Sequence, residues 1–252
     1  ESPYDERLGY ANIPDYLTRL RQRDYQIVVQ SRFSPKMVQL AADTGCIGAG
    51  IRLLPTTPGG LHYPLMDDAP MLRETLAVIA GTGAGVLDLE VLRINERFDV
   101  RACHRFLAVG EQLGARHILV AGDDPDEARM TSSFAALCEA AARHGLTADL
   151  EFMPWTQVPD ASAAARVVRG AAQPNGGVLV DALHFARCGS TLKDIAAFDP
   201  QWLHYAQICD GPLPGPTTVE GLIHAARCER MLPAEGDLPL QELFAALPHT
   251  IP

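Results

Sequence analysis

The sequence predicts an α/β chain folded as a (β/α)8 TIM barrel, and three observations carry that reading. Short apolar or β-branched runs recur along the chain, separated by Ala-rich segments of helical period, which is the pattern of repeated strand-helix units. Polar residues stand at the C-terminal ends of most of these runs, where a barrel collects its active site. No G-x-G-x-x-G follows the first run, so an open dinucleotide-binding sheet lacks its usual mark.

In chain order, Tyr4–Arg23 reads as a short helix within an N-terminal extension, residues 1–25. Seven strands are expected: Gln26–Gln30, Cys46–Leu53, Gly85–Leu92, Arg116–Ala121, Thr147–Phe152, Gly177–Asp181 and Leu203–Cys209. The first helix, Pro35–Thr44, has Ser34 as N-cap, Pro35 at its first position and Gly45 past its end, and Asp126–Arg143 is closed by Gly145. Further helices fit Ala69–Ile79, Val100–Leu113, Ala161–Ala171, Thr191–Phe198, Thr218–Met231 and Leu238–Leu247. Ile118–Ala121 and Val178–Val180 are unbroken apolar runs, as parallel strands covered on both faces require. A closed barrel needs an eighth strand; it would begin at Thr250-Ile251-Pro252, so it is expected to be missing or truncated in this sequence. The 252 residues suit one barrel and show no linker, so a single domain over 1–252 is the expectation.

Charge narrows the choice of partner. At −10, the chain is repelled by nucleic acid and by anionic membrane surfaces, whereas a small polar substrate or a cation fits. Six scattered cysteines without a C-x-x-C pair read as thiols, mostly small buried residues. With no basic-then-apolar leader and no apolar stretch long enough to span a bilayer, a cytoplasmic protein without a membrane partner is expected. A homo-oligomer is compatible with the sequence.

The last polar residues of successive strands are Arg52, Glu90, Asp123, Glu151, Asp181 and Gln207. A carboxylate ending an apolar strand on its inward side is costly to bury unless it is paired or bound to a cation. Glu151, Asp181 and the Gln207 amide oxygen supply hard oxygen donors suited to magnesium, manganese or a similar ion.

The segments Asp149-Leu150-Glu151-Phe152, Leu179-Val180-Asp181-Ala182-Leu183-His184 and Tyr205-Ala206-Gln207-Ile208-Cys209-Asp210 resemble the fifth, sixth and seventh strand motifs of the sugar phosphate isomerase/epimerase superfamily. These are the xylose-isomerase-like barrels, inosose dehydratases and tagatose 3-epimerases among them. Pro233-Ala234-Glu235-Gly236-Asp237 is similar to the family's Gly-Glu-Gly-Asp loop, with Ala234 in place of its first Gly, and the resemblance runs from about Gln26 to the end. It implies that Glu151, Asp181 and Gln207 ligate a divalent metal (manganese, magnesium, cobalt or zinc) and that Glu151 is also a catalytic base. The family's fourth ligand, a Glu on the eighth strand, has no counterpart here. The implied activity is isomerisation or epimerisation of a small sugar or related keto or polyol compound, by proton abstraction beside a carbonyl.

Gln rather than His at the seventh strand resembles the inosose dehydratase branch, so a dehydratase is an alternative, as is a non-catalytic barrel. Endonuclease IV shares the superfamily, but its His-rich zinc site is not matched, and the acidic chain disfavours a nucleic-acid substrate. His184 is expected to contact substrate and act in catalysis, and Trp155 to wall the pocket or anchor its loop. Arg52 and Glu90 either bind substrate or pair across adjacent strands; Asp210 either orients a ligand or caps a loop. Glu235-Gly236-Asp237 reads as a helix cap, and the remaining histidines show no ligand spacing.

Overall fold

The computed structural model describes residues 34–56, 62–248 and 251. The predicted Tyr4–Arg23 helix and Gln26–Gln30 strand lie outside them, as do Thr250 and Pro252. Within them the chain alternates helix and strand. The first half runs α1 (Ser34–Asp43), β1 (Gly48–Arg52), α2 (Ala69–Thr82), β2 (Gly85–Ile94), α3 (His104–Gln112), β3 (His117–Gly122) and α4 (Glu127–Ala142). The second runs β4 (Thr147–Glu151), α5 (Ala161–Ala171), β5 (Gly176–Asp181), α6 (Ala182–Arg187), α7 (Leu192–Ala196), β6 (Ala206–Gln207), α8 (Val219–Cys228) and α9 (Leu240–Ala246). The strands form one sheet in the order β1 to β6, every neighbouring pair parallel, which makes an incomplete (β/α) barrel.

Strand alternation separates two faces. Ile118 and Val120, Ala148 and Leu150, and Val178 and Val180 all belong to the main core shared with the helices. Their neighbours Leu119, Ala121 and Leu179 join Val91, Met153 and Tyr205 in a separate inner cluster. By the same alternation Asp149, Glu151 and Asp181 fall on the inner face.

The helices bury matching stripes. In α4 the buried residues Met130, Phe134, Leu137, Cys138 and Ala141 repeat at helical spacing, and Asp126 caps the start by accepting from the Ala128 and Arg129 amides. Gly45 and Gly145, read from sequence as helix stops, both adopt the left-handed conformation that glycine enters without steric cost.

Three elements depart from the sequence reading. The Val100–Leu113 segment opens as a 3-10 turn, Val100–Cys103, before α3 begins. The seventh predicted strand, Leu203–Cys209, shrinks to Ala206–Gln207, because Asp199 caps a 3-10 turn over Pro200–Trp202 whose end is Leu203. The short helix α6 was not expected: Asp181, the last residue of β5, is also its N-cap.

Candidate active site

Barrel stagger brings the strand-end side chains together. Glu151 pairs with Leu179, so Asp181 lies two residues further along β5, level with Gln207 of β6. Asp181 is held firmly: its Oδ1 accepts from the Leu183 and His184 amides at 2.8 and 3.1 Å. That cap turns α6 so that His184, three residues on, returns to the strand ends. One ligand-type atom from each of Glu151, Asp181 and His184 lies within 4.8 Å of the others, and all three residues are buried. His184 Nε2 is 3.6 Å from Glu151 Oε1, while His184 Nδ1 is buried with no hydrogen-bond partner among the described residues.

A cavity of about 480 Å³ opens over this cluster, bordered by Arg52, Glu90, Glu151, Trp155, His184 and Gln207. Trp155 meets the His184 ring edge-on at 5.0 Å between centroids. Arg52 donates from Nε to Glu90 Oε2 at 2.9 Å, with Nη2 on the same oxygen, so the cross-strand pair and the cavity wall are one feature. Asp210 stands apart. Its buried carboxylate accepts from the Gly211, Ala234 and Leu238 amides, which makes it the anchor of the Pro233–Asp237 loop rather than a group facing the cluster.

Arg230, just beyond α8, is the residue that sequence reasoning missed. It donates from Nη1 to Asp181 Oδ2 at 2.6 Å and from Nε to the Ala226 carbonyl at 2.8 Å. No motif marks it; it lies after a helix, on neither strand nor strand-end loop.

The electrostatics follow from burial and from this guanidinium. Burial pushes the Glu151 carboxyl well above the usual carboxylate range, neighbouring Asp181 pushes the same way, and Arg230 pulls against both. Burial would raise Asp181 as well, but Arg230 and His184 hold it below its ordinary value. Burial takes the His184 imidazole down to about 4, so it is neutral near neutral pH.

Beneath the cluster runs a second polar layer to which the sequence reading gave no role. His204 Nδ1 bonds Asp149 Oδ1 at 2.6 Å, and the Thr147 hydroxyl donates to Asp149 Oδ2 at 2.5 Å. Since that hydroxyl has spent its one proton, His117 Nδ1 donates to it at 2.8 Å. Tyr205 donates to Asp88 Oδ2 at 3.2 Å. Gly177 makes room here, because a Cβ on it would come within 2.5 Å of Asp149 Oδ1.

A parallel α/β barrel whose inward strand ends converge on two carboxylates and an imidazole defines the class: a barrel protein with a polar site of the kind that can hold a divalent metal. The family follows from comparison. A family model described as xylose isomerase-like TIM barrel matches residues 59–251, and the chain belongs to that family. Among solved structures it is similar to a xylose isomerase-like TIM barrel/4-hydroxyphenylpyruvate dioxygenase fusion protein, at 19% identity and TM-score 0.71. That match covers 84% of this chain but 34% of the fusion protein. It is similar to the IolI protein solved with a bound zinc atom, at 19% identity and TM-score 0.68, covering 84% of this chain and 78% of that one. A D-allulose 3-epimerase from Methylomonas sp., solved in complex with D-allulose, matches at 17% identity and TM-score 0.60, covering 84% and 73%. A search of curated protein sequences found no match. No described helix is long and apolar enough to cross a membrane.

Proposed function

We propose that the chain is a divalent-metal-dependent isomerase or epimerase of a small sugar or related keto or polyol compound. The observation that carries this reading is the cluster of Glu151, Asp181 and His184, of which Glu151 and His184 border one cavity together with Gln207. The donor set fits a divalent ion. Carboxylate and amide oxygens with a neutral imidazole suit manganese, magnesium, cobalt or zinc. A buried carboxyl driven upward by a second carboxylate is the electrostatic condition that a cation relieves. Glu151, Asp181, Gln207 and the His184 imidazole would hold the ion, and Arg230 pairs with Asp181. When bound, the metal polarises the substrate carbonyl and hydroxyl oxygens.

The remaining work falls to this chain's side chains. Glu151 removes the carbon-bound proton and needs to be ionised to do so; a nearby cation restores the charge that burial suppresses. His184, neutral, accepts a hydrogen bond from a substrate hydroxyl or gives a lone pair to the ion. Trp155 supplies an apolar wall for the sugar ring face and fixes the plane of His184. Arg52, oriented by Glu90, forms part of the cavity wall against which the substrate would lie.

The test is solvent exchange. Ketoses, inososes and keto acids are incubated with the protein and manganese in deuterium oxide, and label at the carbon beside the carbonyl is followed by NMR. The parent protein should incorporate label, chelator should stop it, and Glu151→Gln should lose at least about a hundredfold in rate while staying folded. Label that persists in Glu151→Gln, or that ignores chelator, would show the base or the metal to be wrongly assigned.

A further inference from the structure

The cavity over Glu151 is lined by four arginines, Arg52, Arg93, Arg227 and Arg230, in a chain whose net charge is −10. Three have carboxylate partners: Arg52 pairs with Glu90, Arg93 with Asp123 and Arg230 with Asp181. Arg227, exposed in the last turn of α8, has no carboxylate or hydrogen-bond partner among the described residues. Arg230 uses Nη1 and Nε on Asp181, Cys209 and Ala226, which leaves Nη2 with no acceptor among the described residues. The same lining holds two carboxylates, Glu90 and Glu151, so guanidinium groups outnumber carboxylates at this cavity.

We infer that the substrate of this site carries an oxyanion, a carboxylate or a phosphate ester, and that Arg227 with Nη2 of Arg230 receives it. The guanidinium fork matches both oxyanions in plane and spacing, and charge-assisted bonds of this kind are about twice as strong as neutral ones. The cavity of about 480 Å³ accommodates a sugar-sized acid or sugar phosphate together with a metal ion. The inference rests on reading this cavity as the substrate site and adds the class of substrate. Arg227 is a specificity residue here, not a catalytic one.

Three probes with one carbon skeleton test it: D-glucitol, D-gluconate and D-glucitol 6-phosphate, titrated calorimetrically into the manganese-loaded parent protein and into Arg227→Gln and Arg227→Lys. At least one anionic probe should bind about tenfold or more tightly than glucitol, and which one does so separates the carboxylate from the phosphate source. Arg227→Gln should lose that preference by about tenfold and Arg227→Lys should keep part of it, since charge remains without the fork. A role limited to the helix C-terminus would change thermal stability and leave the ratio untouched. Equal affinity for all three probes, no binding of either anion at millimolar concentration, or an anion preference that survives Arg227→Gln overturns the inference. Because binding is read without turnover, label exchange that persists while the preference is absent sinks only this inference. Preference without exchange sinks only the proposed reaction.

Discussion

Asp88 is a buried acid whose neighbours make its ionisation harder. Burial raises its carboxyl from an ordinary value near 3.8 to about 7, Glu90 adds to the rise, and the Tyr205 hydroxyl works against it. Unfolded, the group loses its proton near pH 4; folded, it keeps that proton until about pH 7. Across that window the folded form binds the extra proton, so stability falls as pH rises, by up to about 4 kcal/mol. Asp88→Asn keeps an acceptor for Tyr205 and removes the titration. It should raise the melting temperature at pH 8 and change it little at pH 4, read by calorimetry at both; an equal shift at the two pH values would contradict the assignment. At this scale the strand-end positions of Glu151, Asp181 and Gln207 were legible in the sequence, because each is the last polar residue of an expected strand run. Asp149, one inward position earlier, lacked that mark. Arg230 carried none, because its role depends on how α8 returns across the strand ends.

Among the elements, helix limits were the most readable and short elements the least. Gly45 and Gly145 stop their helices where expected, since a left-handed residue is a local requirement that glycine meets. Helix α6 has six residues, too few to show a period, and β6 has two, their extent decided by Asp199 and the neighbouring strand rather than by propensity. The periodic face of α4 makes a firm prediction. Phe134 is fully buried, and a Cβ on Gly176 would lie 3.2 Å from its ring. Phe134→Ala should cost about 3–5 kcal/mol in urea unfolding, and a loss below about 1 kcal/mol would show that the α4–β5 seam repacks. The loop after α8 depends instead on Asp210. Asp210→Ala removes one acceptor from the Gly211, Ala234 and Leu238 amides and should destabilise by about 2–3 kcal/mol, with faster amide exchange at Ala234 and Leu238 as its local mark. Unaltered exchange at both amides would contradict the anchoring role.

For the molecule as a whole, barrel topology was legible because repeated strand-helix units with apolar strands admit few arrangements. The stagger that sets Asp181 level with Gln207 and above Glu151 was not, because register is fixed by packing around the sheet. That stagger concentrates two buried carboxylates, an imidazole and a guanidinium at one end, where a proton or a cation relieves the carboxylate that Arg230 does not pair. The central claim is that Glu151, Asp181, His184 and Gln207 together hold a divalent cation. A crystal grown with manganese, measured for anomalous scattering, tests it directly. The account predicts one strong peak about 2.0–2.4 Å from oxygens of Glu151 and Asp181, with the His184 imidazole or the Gln207 amide completing the shell. A saturated crystal with no peak there, and with the Arg230–Asp181 pair closed over the site, would contradict it.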